Sequence, residues 1–530
     1  MMRKVSEWNR TRRAGLLFPI SALPGPYEIG DFGYEAKRVI DWMVDAGIKE
    51  WLLLPLGPIS HGNSPYQGTS AFAGNIYYIS PDILMEEGLL KKEDLECEDY
   101  GRVRDQIDYG QLFVGRRKLL RKAYMHFIEH KGPQWKEYME FCKIHQEWLE
   151  DYAIFMALKE NNGYQPWWQW EQVLASRTEP YFSEYIQSNK EEVIFWKFTQ
   201  YEFFKQWECL KKYANDKGIY VIGDMPFYLG PDSADVWSHR ELFDVDPGTG
   251  MAEIWAGVPA DTFSMEDRNW KNPTYCWEAH EETDYEWFRQ RIRISAVQYD
   301  GLRIDHVIAI MRYFGIRDGE KKGKWYDGPD TREHKLSDAI QQEAERTGLY
   351  LIGEDLGDVP SGLREMMMEK GWNGMRVLQF AFTGKHGAKS DHLPFYHRSD
   401  MAVFTGTHDH PTLKEFLGQK KEAELQYLEW WTGKSGEEML RWALIGEAYK
   451  SPACQVFVPI QDLLGMGSEA RMVFTNDPER SWKWRLTDID MLSADLAEKV
   501  RALAALTGRY PDKGREFFQC LEKWSERCPK

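Results

Sequence analysis

The strongest constraint on the fold is a recurring pattern of eight short, nearly continuous apolar runs, each ending in Gly, Pro or a polar cluster. Amphipathic stretches with helical periodicity separate most of these runs. Apolar runs that become polar only at their carboxyl ends are typical of parallel strands covered on both faces. Eight alternations of strand and helix predict a (β/α)8 TIM barrel, whose active site lies at the carboxyl ends of its strands. The predicted strands are 15–20, 51–56, 220–227, 301–306, 350–356, 377–382, 403–409 and 455–460.

One interval is too long for a plain barrel repeat. Residues 82–217 have helical periodicity and no Pro/Gly/Ser-rich linker at either end, which favours a helical insertion over a separate module. Residues 236–286 are loop-like and rich in Trp, Pro, Asp and Asn, and long loops after barrel strands usually shape a substrate cleft. We therefore predict a single unit, with barrel elements in 10–81 and 218–510 and a C-terminal helix in 511–530.

Composition excludes several classes of partner. The net charge of −17 disfavours nucleic acid and anionic membranes, because binding phosphates requires concentrated Lys and Arg. No apolar run approaches the length that spans a bilayer, and the run after Arg12-Arg13 is broken by Pro19, so we interpret it as a strand rather than a signal. Seven scattered Cys without CxxC spacing argue against a disulfide framework and structural zinc, and fit a reducing cytoplasm. The 23 Trp are a mild indication of carbohydrate binding.

Charged side chains collect at the carboxyl ends of four predicted strands. A single carboxylate in such a place is usually a helix cap or an ion-pair partner. Several at one rim are harder to explain structurally, since like charges crowded together repel one another. Function is therefore the better explanation of the cluster. Its members are Asp224, Arg303, Asp305, Glu354 and Asp409.

Two chemistries fit a carboxylate cluster of this kind. Glycoside cleavage with retention needs a nucleophilic carboxylate, a second carboxyl group as acid and base, and benefits from a third that favours the oxocarbenium-like transition state. Arg303 lies two residues before Asp305, so both share one strand face, where the cation would keep a nucleophile ionised. The alternative, zinc-assisted hydrolysis, is weaker because no HxH pair ends the first strand. Its candidate ligands are Asp305, His306, His408, Asp409 and His410.

Motifs along nearly the whole chain carry a family resemblance. They include Ser64-Pro65-Tyr66-Gln67, Gly223-Asp224-Met225-Pro226, Arg303-Ile304-Asp305-His306, Gly353-Glu354-Asp355-Leu356-Gly357 and Thr405-Gly406-Thr407-His408-Asp409. In this combination and order the sequence resembles the amylomaltases, the 4-α-glucanotransferase (disproportionating enzyme) family, which is glycoside hydrolase family 77 of the α-amylase clan. The order of the motifs agrees with the predicted strands.

The resemblance implies a function and a set of site residues. It implies a 4-α-glucanotransferase that moves α-1,4-glucan segments between malto-oligosaccharides, with Asp305 as nucleophile, Glu354 as acid/base and Asp409 as transition-state stabiliser. No cofactor is implied, and the sequence has no Ca²⁺ loop of the DxDxDG type. The further residues implied to contact the substrate or to cover the cleft are Ser64, Tyr66, Asp224, Asp261, Phe263, Ser264, Trp270, Arg303 and His408.

Three places depart from the family pattern, and two other functions stay open. The departures are Arg268, His410-Pro411 and residues 475–481, all in loops expected to border the subsites, so the preferred donor and acceptor lengths stay open. An α-1,4-glucan hydrolase would use the same three carboxylates with water as acceptor. A non-catalytic glucan-binding barrel is the other alternative, but a pure binding protein need not retain all three carboxylates.

Overall fold

The computed structural model describes residues 11–60, 62–96, 105–260, 266–382, 389–474 and 477–510. The strands in this part of the chain are β1 (Arg13–Leu17), β2 (Glu50–Leu52), β3 (Tyr220–Met225), β4 (Ile254–Val258), β5 (Arg268–Pro273), β6 (Gly301–Ile304), β7 (Arg312–Arg317), β8 (Lys324–Asp327), β9 (Tyr350–Gly353), β10 (Asn373–Val377), β11 (Met401–Phe404) and β12 (Gln455–Pro459).

Eight of these strands form a closed barrel in the spatial order β1-β12-β11-β10-β9-β6-β3-β2, and every pair is parallel. The strands are almost entirely buried, as expected of parallel strands that are covered by side chains inside and by helices outside. The predicted (β/α)8 barrel is thus confirmed. All eight carboxyl ends open on one face, which places the residues that follow them at a common rim.

Helices connect the strands and cover the barrel. They are α1 (Tyr34–Asp45), α2 (Pro81–Glu86), α3 (Lys92–Glu96), α4 (Tyr109–His130), α5 (Pro133–Ile144), α6 (Gln146–Asn161), α7 (Gln172–Ala175), α8 (Tyr181–Ser188), α9 (Lys190–Asp216), α10 (Ala234–Ser238), α11 (Trp277–Glu282), α12 (Glu286–Gln298), α13 (Lys335–Thr347), α14 (Leu363–Lys370), α15 (Leu378–Ala381), α16 (Leu413–Gly418), α17 (Glu422–Thr432), α18 (Glu437–Lys450), α19 (Ile460–Leu464) and α20 (Ala494–Leu506).

The helices between β2 and β3 share a core with the barrel. The longest, α9, packs along α6 and also contacts α1 and β3. Trp207 of α9 is fully buried, and its indole N–H donates to the Gln298 carbonyl at the end of α12, 3.0 Å away. The buried aromatic side chains of α9 fill the space between this helix and its neighbours.

A small antiparallel sheet lies within and after the stretch 236–286, which the sequence predicts as loop. Its order is β5-β4-β7-β8, with β4 pairing on both edges. The β5 sequence Arg-Asn-Trp-Lys-Asn-Pro has no apolar alternation, so its strand conformation depends on pairing with β4 rather than on local pattern. The predicted loop therefore contains regular structure.

A buried polar network closes the end of the barrel at which the amino ends of the strands lie. Arg13 Nε donates to Glu50 Oε1 at 2.5 Å, and Gln455 Nε2 donates to Glu50 Oε2 at 2.9 Å. Tyr350 and Asn373 both donate to Gln455 Oε1. All five side chains are buried, so each polar group has to be satisfied by its neighbours.

Candidate active site

The strand register alone brings the predicted site residues together. Asp224 of β3 lies directly beside Arg303 of β6. The last paired residues of β6 and β9 are Ile304 and Gly353, so Asp305 and Glu354 follow them side by side at the rim. The Glu354 N–H still donates to the Ile304 carbonyl, at 3.0 Å, which extends the ladder to the acidic residue itself.

The Arg303 guanidinium is the centre of the site. Its Nη1 donates to both carboxylate oxygens of Asp224, at 2.7 and 2.6 Å, and its Nη2 lies 2.9 Å from Glu354 Oε2 and 3.0 Å from Asp305 Oδ1. Only 3% of the Arg303 side chain is exposed. The sequence predicts Arg303 as a partner of Asp305, and the structure adds a bidentate bond to Asp224 and a bond to Glu354. One buried cation thus holds three carboxylates.

The Asp305 and Glu354 carboxyls affect each other's proton affinity. Burial, followed by the nearby Glu354 carboxylate, raises the pKa of Asp305 well above its usual value, although Arg303 opposes the shift. Burial also acts to raise the pKa of Glu354, but Arg303, a hydrogen bond with Asp305 and the His306 N–H outweigh it and lower this pKa to about 2. The two carboxyls therefore share a proton, and that proton favours Asp305.

The backbone after β6 turns so that one of its N–H groups binds the Glu354 carboxylate. His306 has a positive φ of 48°, in the left-handed region that non-glycine residues seldom adopt. This conformation directs the His306 N–H to Glu354 Oε2, 2.8 Å away. Gly353, immediately before Glu354, is closely packed, since a Cβ there would lie 2.7 Å from the Met367 methyl and 3.1 Å from Val307. The His306 N–H therefore helps to fix where the Glu354 carboxyl lies.

Tyr66 and His408 form the neighbouring wall of the site. The Tyr66 hydroxyl donates to Asp224 Oδ2 at 2.8 Å, and its ring stacks on His408 with centroids 4.9 Å apart and an interplanar angle of 15°. Ser64 Oγ accepts from the Tyr66 N–H at 3.2 Å and holds the turn that presents the ring. His408 Nε2 lies 3.3 Å from Asp409 Oδ2, and the Asp409 side chain is 58% exposed toward the opening.

Trp270 borders the site from the small sheet. Its ring meets the His306 ring edge to face, with centroids 4.7 Å apart. Gln67 Nε2 donates to the Trp270 carbonyl at 2.8 Å and to Asn272 Oδ1 at 2.7 Å, so the loop after β2 is tied to β5. Three further predicted residues lie outside the described part of the chain: Asp261, Phe263 and Ser264.

The histidines considered as zinc ligands point to different neighbours. His306 packs on Trp270, His408 stacks on Tyr66, and His410 Nδ1 lies 2.8 Å from Thr407 Oγ1. Within the described ranges, no group of three or more His, Cys, Asp or Glu side chains is arranged to hold a metal ion. The geometry offers acid, base and nucleophile positions rather than a ligand sphere.

The departures from the family pattern lie around the site, and some contacts were not predicted. Arg268 begins β5 and pairs with Val258, whereas the His410 ring packs on Phe380 with centroids 4.8 Å apart. Pro478 and Glu479 line a cavity of about 770 Å³ beside the helices α4 and α6, and residues 475 and 476 lie outside the described part. Sequence reasoning missed the Gln67 anchor, the His306 N–H, and Trp482 beside Tyr66 and His408.

The barrel is parallel, and carboxyls, an arginine and aromatic rings lie together at its carboxyl rim. These features are typical of barrel enzymes that act on carbohydrates. The chain matches the family model described as 4-alpha-glucanotransferase, glycoside hydrolase family 77, over residues 18–491. It is 39% identical to the 4-alpha-glucanotransferase of Clostridium butyricum, with 92% of this chain and 99% of that protein aligned. It is 36% identical to the 4-alpha-glucanotransferase of Thermus thermophilus, with 94% and 99% aligned.

The structural comparison agrees. An amylomaltase from Streptococcus agalactiae in complex with acarbose matches with a TM-score of 0.89 at 32% identity, over 94% of this chain and 100% of that one. The chain therefore belongs to the 4-alpha-glucanotransferase family, glycoside hydrolase family 77, and it is an enzyme of that type. This relationship favours transfer over the hydrolase and binding-protein alternatives. Among the described helices, none is both long enough and apolar enough to cross a membrane.

Proposed function

We propose that this 4-α-glucanotransferase moves α-1,4-glucan segments between malto-oligosaccharides by a retaining double displacement at Asp305, Glu354 and Asp409. One observation carries the mechanism: an oxygen of Asp305 and an oxygen of Glu354 both lie within 3.0 Å of the same Arg303 nitrogen. That common neighbour keeps these oxygens less than about 6 Å apart, which is below the separation of inverting glycosidases, since those need space for a water between the carboxyls.

In the first half-reaction, Asp305 Oδ attacks the anomeric carbon of the donor glucan. The glycosidic C–O bond breaks, and Glu354 gives its proton to the leaving O4, so that a glycosyl ester of Asp305 and a shortened glucan are formed. In the second half-reaction, Glu354 accepts the proton of an acceptor 4-OH while that oxygen attacks the anomeric carbon. The ester bond to Asp305 breaks, and the overall configuration is retained.

The proton on the carboxyl pair has to move before the first step. It favours Asp305, because burial and Glu354 raise the pKa of Asp305 whereas Arg303 and the His306 N–H lower that of Glu354. A donor whose glycosidic oxygen lies between the two carboxyls breaks their mutual hydrogen bond. The anomeric centre then develops positive charge beside Asp305, which favours the ionised form there and leaves the proton on Glu354.

Substrate placement is assigned to the neighbouring side chains. Asp224, Arg303 and His408 form the floor and one wall around the reacting sugar, and Tyr66 and Ser64 hold the adjacent turn. Asp409, which is exposed at the opening, is placed to meet hydroxyls of the sugar bound there. Trp270 and the residues 261, 263 and 264 are assigned to the cover that excludes water, so that a bound acceptor attacks instead.

Incubation with maltotriose alone, followed by separation of the products by length, tests the transfer reaction. We expect glucose together with maltopentaose and longer products. Asp305→Asn and Glu354→Gln should each lower the rate by roughly a thousandfold or more. With α-maltosyl fluoride as donor, Glu354→Gln should regain glycosyl-enzyme formation, since fluoride leaves without a proton, whereas Asp305→Asn should not. Equal recovery of both variants would refute the assignment of nucleophile and acid.

We also infer a cytoplasmic location from the thiols. Cys142, Cys209, Cys276 and Cys454 are free in the described part of the chain, as is usual in a reducing compartment. Fractionation of the producing cells, with activity on maltotriose as the assay, tests this inference. Activity that is released with an extracellular or periplasmic fraction would contradict it.

A further inference from the structure

One N–H group of the Arg303 guanidinium is bound by a sulfur atom rather than by a carboxylate. Its Nη1 and Nη2 nitrogens face the three carboxylates, whereas its Nε donates to Met375 Sδ, 3.4 Å away. Arg303 is 2% exposed and Met375 is fully buried, so water does not compete for this N–H. A buried donor needs a partner, and here the thioether supplies it.

The two side chains reach each other across the interior of the barrel. Met375 lies on β10 and Arg303 on β6, with β9 between them. Neighbouring strands are about 4.8 Å apart, so roughly 10 Å separates the two backbones. Met and Arg are long and unbranched, which lets them span this gap, and the polarisable thioether adapts to the space available. The contact is therefore a property of the closed barrel rather than of one strand.

The backbone of Met375 is held as well as its side chain. Its N–H donates to Asp355 Oδ1 at 2.7 Å, and Asp355 is 1% exposed. The other oxygen of Asp355 accepts from Arg376 Nη1 at 2.9 Å and from Arg364 Nε at 2.7 Å. These three bonds fix the Asp355 carboxylate, and through it they fix the position at which β10 presents Met375.

These contacts close into a ring that includes the proposed acid/base. Arg303 Nη2 donates to Glu354 Oε2 at 2.9 Å, and Asp355 follows Glu354 in the chain. The ring runs from the Glu354 carboxyl through the guanidinium, the thioether and Asp355, and it returns to Glu354 by a peptide bond. A shift of Met375 would thus reach Glu354 from two sides.

A thioether suits this position because it is a neutral acceptor. One cation already faces three carboxylates, so a fourth carboxylate at this place would add to the excess negative charge. A purely apolar side chain would leave the Nε group of Arg303 without a partner in a dry interior, which costs free energy. Met375 satisfies the donor and leaves the charge balance of the site unchanged.

We propose that Met375 is a positioning residue for glucan transfer, an inference that rests on the proposed function. Asp224 holds the guanidinium at Nη1, and Met375 holds it at Nε. With two corners of a planar group fixed, the third corner, Nη2, is held beside both reacting carboxyls. Without the thioether, the guanidinium can rotate about its bonds to Asp224, and Nη2 then leaves its place beside Asp305 and Glu354.

Two substitutions of similar size separate the hydrogen bond from packing. Met375→Leu keeps an apolar side chain and removes the acceptor, so it should lower the kcat for maltotriose roughly tenfold while KM stays within about twofold. Met375→Gln places an amide oxygen at a similar distance along the side chain and should recover kcat to within about threefold of the unsubstituted enzyme. A packing role predicts the reverse order, because a buried amide costs more stability than Leu.

Met43→Leu is the matched control. Met43 is fully buried in α1, and its substitution should leave kcat and KM within about twofold of the unsubstituted values. Rates are measured below the thermal unfolding transition of each variant, so that differences in stability do not enter. A Met375→Leu enzyme that is as active as Met375→Gln, or more active, would overturn the inference.

A measurement without turnover keeps this inference apart from the proposed function. In protein labelled with methionine that carries ¹³C in its methyl group, the resonances of Met375 and Met43 are identified by their absence from the two Leu variants. Asp224→Asn releases the opposite side of the guanidinium and should shift the Met375 resonance, but not that of Met43. An unshifted Met375 resonance would refute the contact. Failure of the unsubstituted enzyme to disproportionate maltotriose would refute the proposed function, while this spectrum would still test the contact.

Discussion

At the residue scale, Arg303 is the side chain on which the site depends. It is one cation facing Asp224, Asp305 and Glu354, so the buried cluster carries excess negative charge unless one carboxyl keeps a proton. The raised pKa of Asp305 is the physical expression of that excess. The effect of removing a carboxylate on the free energy of unfolding therefore depends on which one is removed. Loss of a carboxylate that holds Arg303 should lower it, whereas loss of one that adds to the excess negative charge should raise it.

Asp224 supports the cation. Asp224→Asn removes the bidentate carboxylate of Arg303 inside the barrel, and loss of one partner of a buried pair typically costs about 3 kcal/mol of unfolding free energy. The kcat/KM for maltotriose should fall roughly a hundredfold, since Arg303 would no longer be held beneath both reacting carboxyls. Urea unfolding and product analysis measure the two effects. Asp216→Asn, in an exposed pair with Lys212, is the control and should change both little.

Asp305 competes for the cation, so its substitution should stabilise the fold. A group whose pKa is raised on folding binds its proton more tightly in the folded state, and it costs stability as pH rises from its unfolded pKa toward the raised folded value. Asp305→Asn should therefore unfold at higher urea than the unsubstituted protein, by about 1 kcal/mol at neutral pH. The gain should shrink toward zero near pH 4. A gain that is independent of pH would contradict this origin.

The left-handed backbone at His306 gives a third prediction. Asn tolerates a positive φ, whereas a β-branched residue does not, with a penalty of about 1–2 kcal/mol. His306→Asn should keep the N–H directed at Glu354 and retain transfer within about tenfold, whereas His306→Val should lose stability and most activity. Both variants lack the imidazole, so the difference between them reports the backbone. Equal activities of the two variants would show that activity does not depend on the left-handed backbone at this position.

At the element scale, the barrel strands were largely predictable, and the sixth shows where prediction stops. The sequence predicts a strand at 377–382, but β10 is Asn373–Val377 and residues 378–381 form α15. Periodicity does not distinguish a short apolar strand from a buried helical turn. The actual strand begins with Asn373 and contains Arg376, polar residues that are buried because Gln455 and Asp355 bind them. Those partners are distant in the chain, so no local pattern reveals them.

The site was predictable to a similar degree. Each strand-end motif identified its own acidic residue, because polar residues after an apolar run are visible locally. The register that places Asp224 beside Arg303, and the left-handed turn at His306, arise from tertiary packing and were not visible. The sequence predicts that Arg303 keeps Asp305 ionised, but the same guanidinium also binds Asp224 and Glu354, and burial and the Glu354 carboxylate raise the pKa of Asp305 in spite of it.

The small sheet supplies the prediction at this scale. Gln67 ties β5 to the turn that holds Tyr66 through the Trp270 carbonyl and the Asn272 side chain. Gln67→Ala should loosen this cover and raise the share of hydrolysis severalfold relative to transfer, because water then reaches the glycosyl-enzyme more often. New reducing ends measure hydrolysis, and glucose released from maltotriose measures transfer. Gln172→Ala, which removes an exposed hydrogen bond to Ser176, is the control. An unchanged ratio of hydrolysis to transfer in Gln67→Ala would show that water exclusion does not depend on the Gln67 bonds.

At the scale of the whole molecule, the barrel has one buried polar network at each end. We expect the network at the carboxyl ends to serve catalysis and the one at the amino ends to serve stability. Glu50→Ala would leave Arg13 and Gln455 without their carboxylate in a dry interior, at a cost of roughly 3–5 kcal/mol. The kcat/KM for maltotriose should stay within about twofold, because Glu50 lies at the amino end of its strand. Thermal unfolding and initial rates below the transition measure this. A large loss of kcat/KM in the folded variant would mean that the two ends of the barrel are coupled. Glu35→Ala, which removes a surface ion pair with Arg38, is the control.

The seam of the barrel has a consequence for how the chain is made. Arg13–Leu17 pairs with Gln455–Pro459, so the barrel strand that is made first lies beside the barrel strand that is made last. Until synthesis reaches Pro459, the nascent first strand keeps one open edge, to which other chains bind readily. Arg509, whose guanidinium donates to the carbonyls of Arg13 and Cys454 across that seam, emerges later still. Termination of synthesis before Gln455 should therefore yield an unclosed, aggregation-prone polypeptide rather than a smaller enzyme.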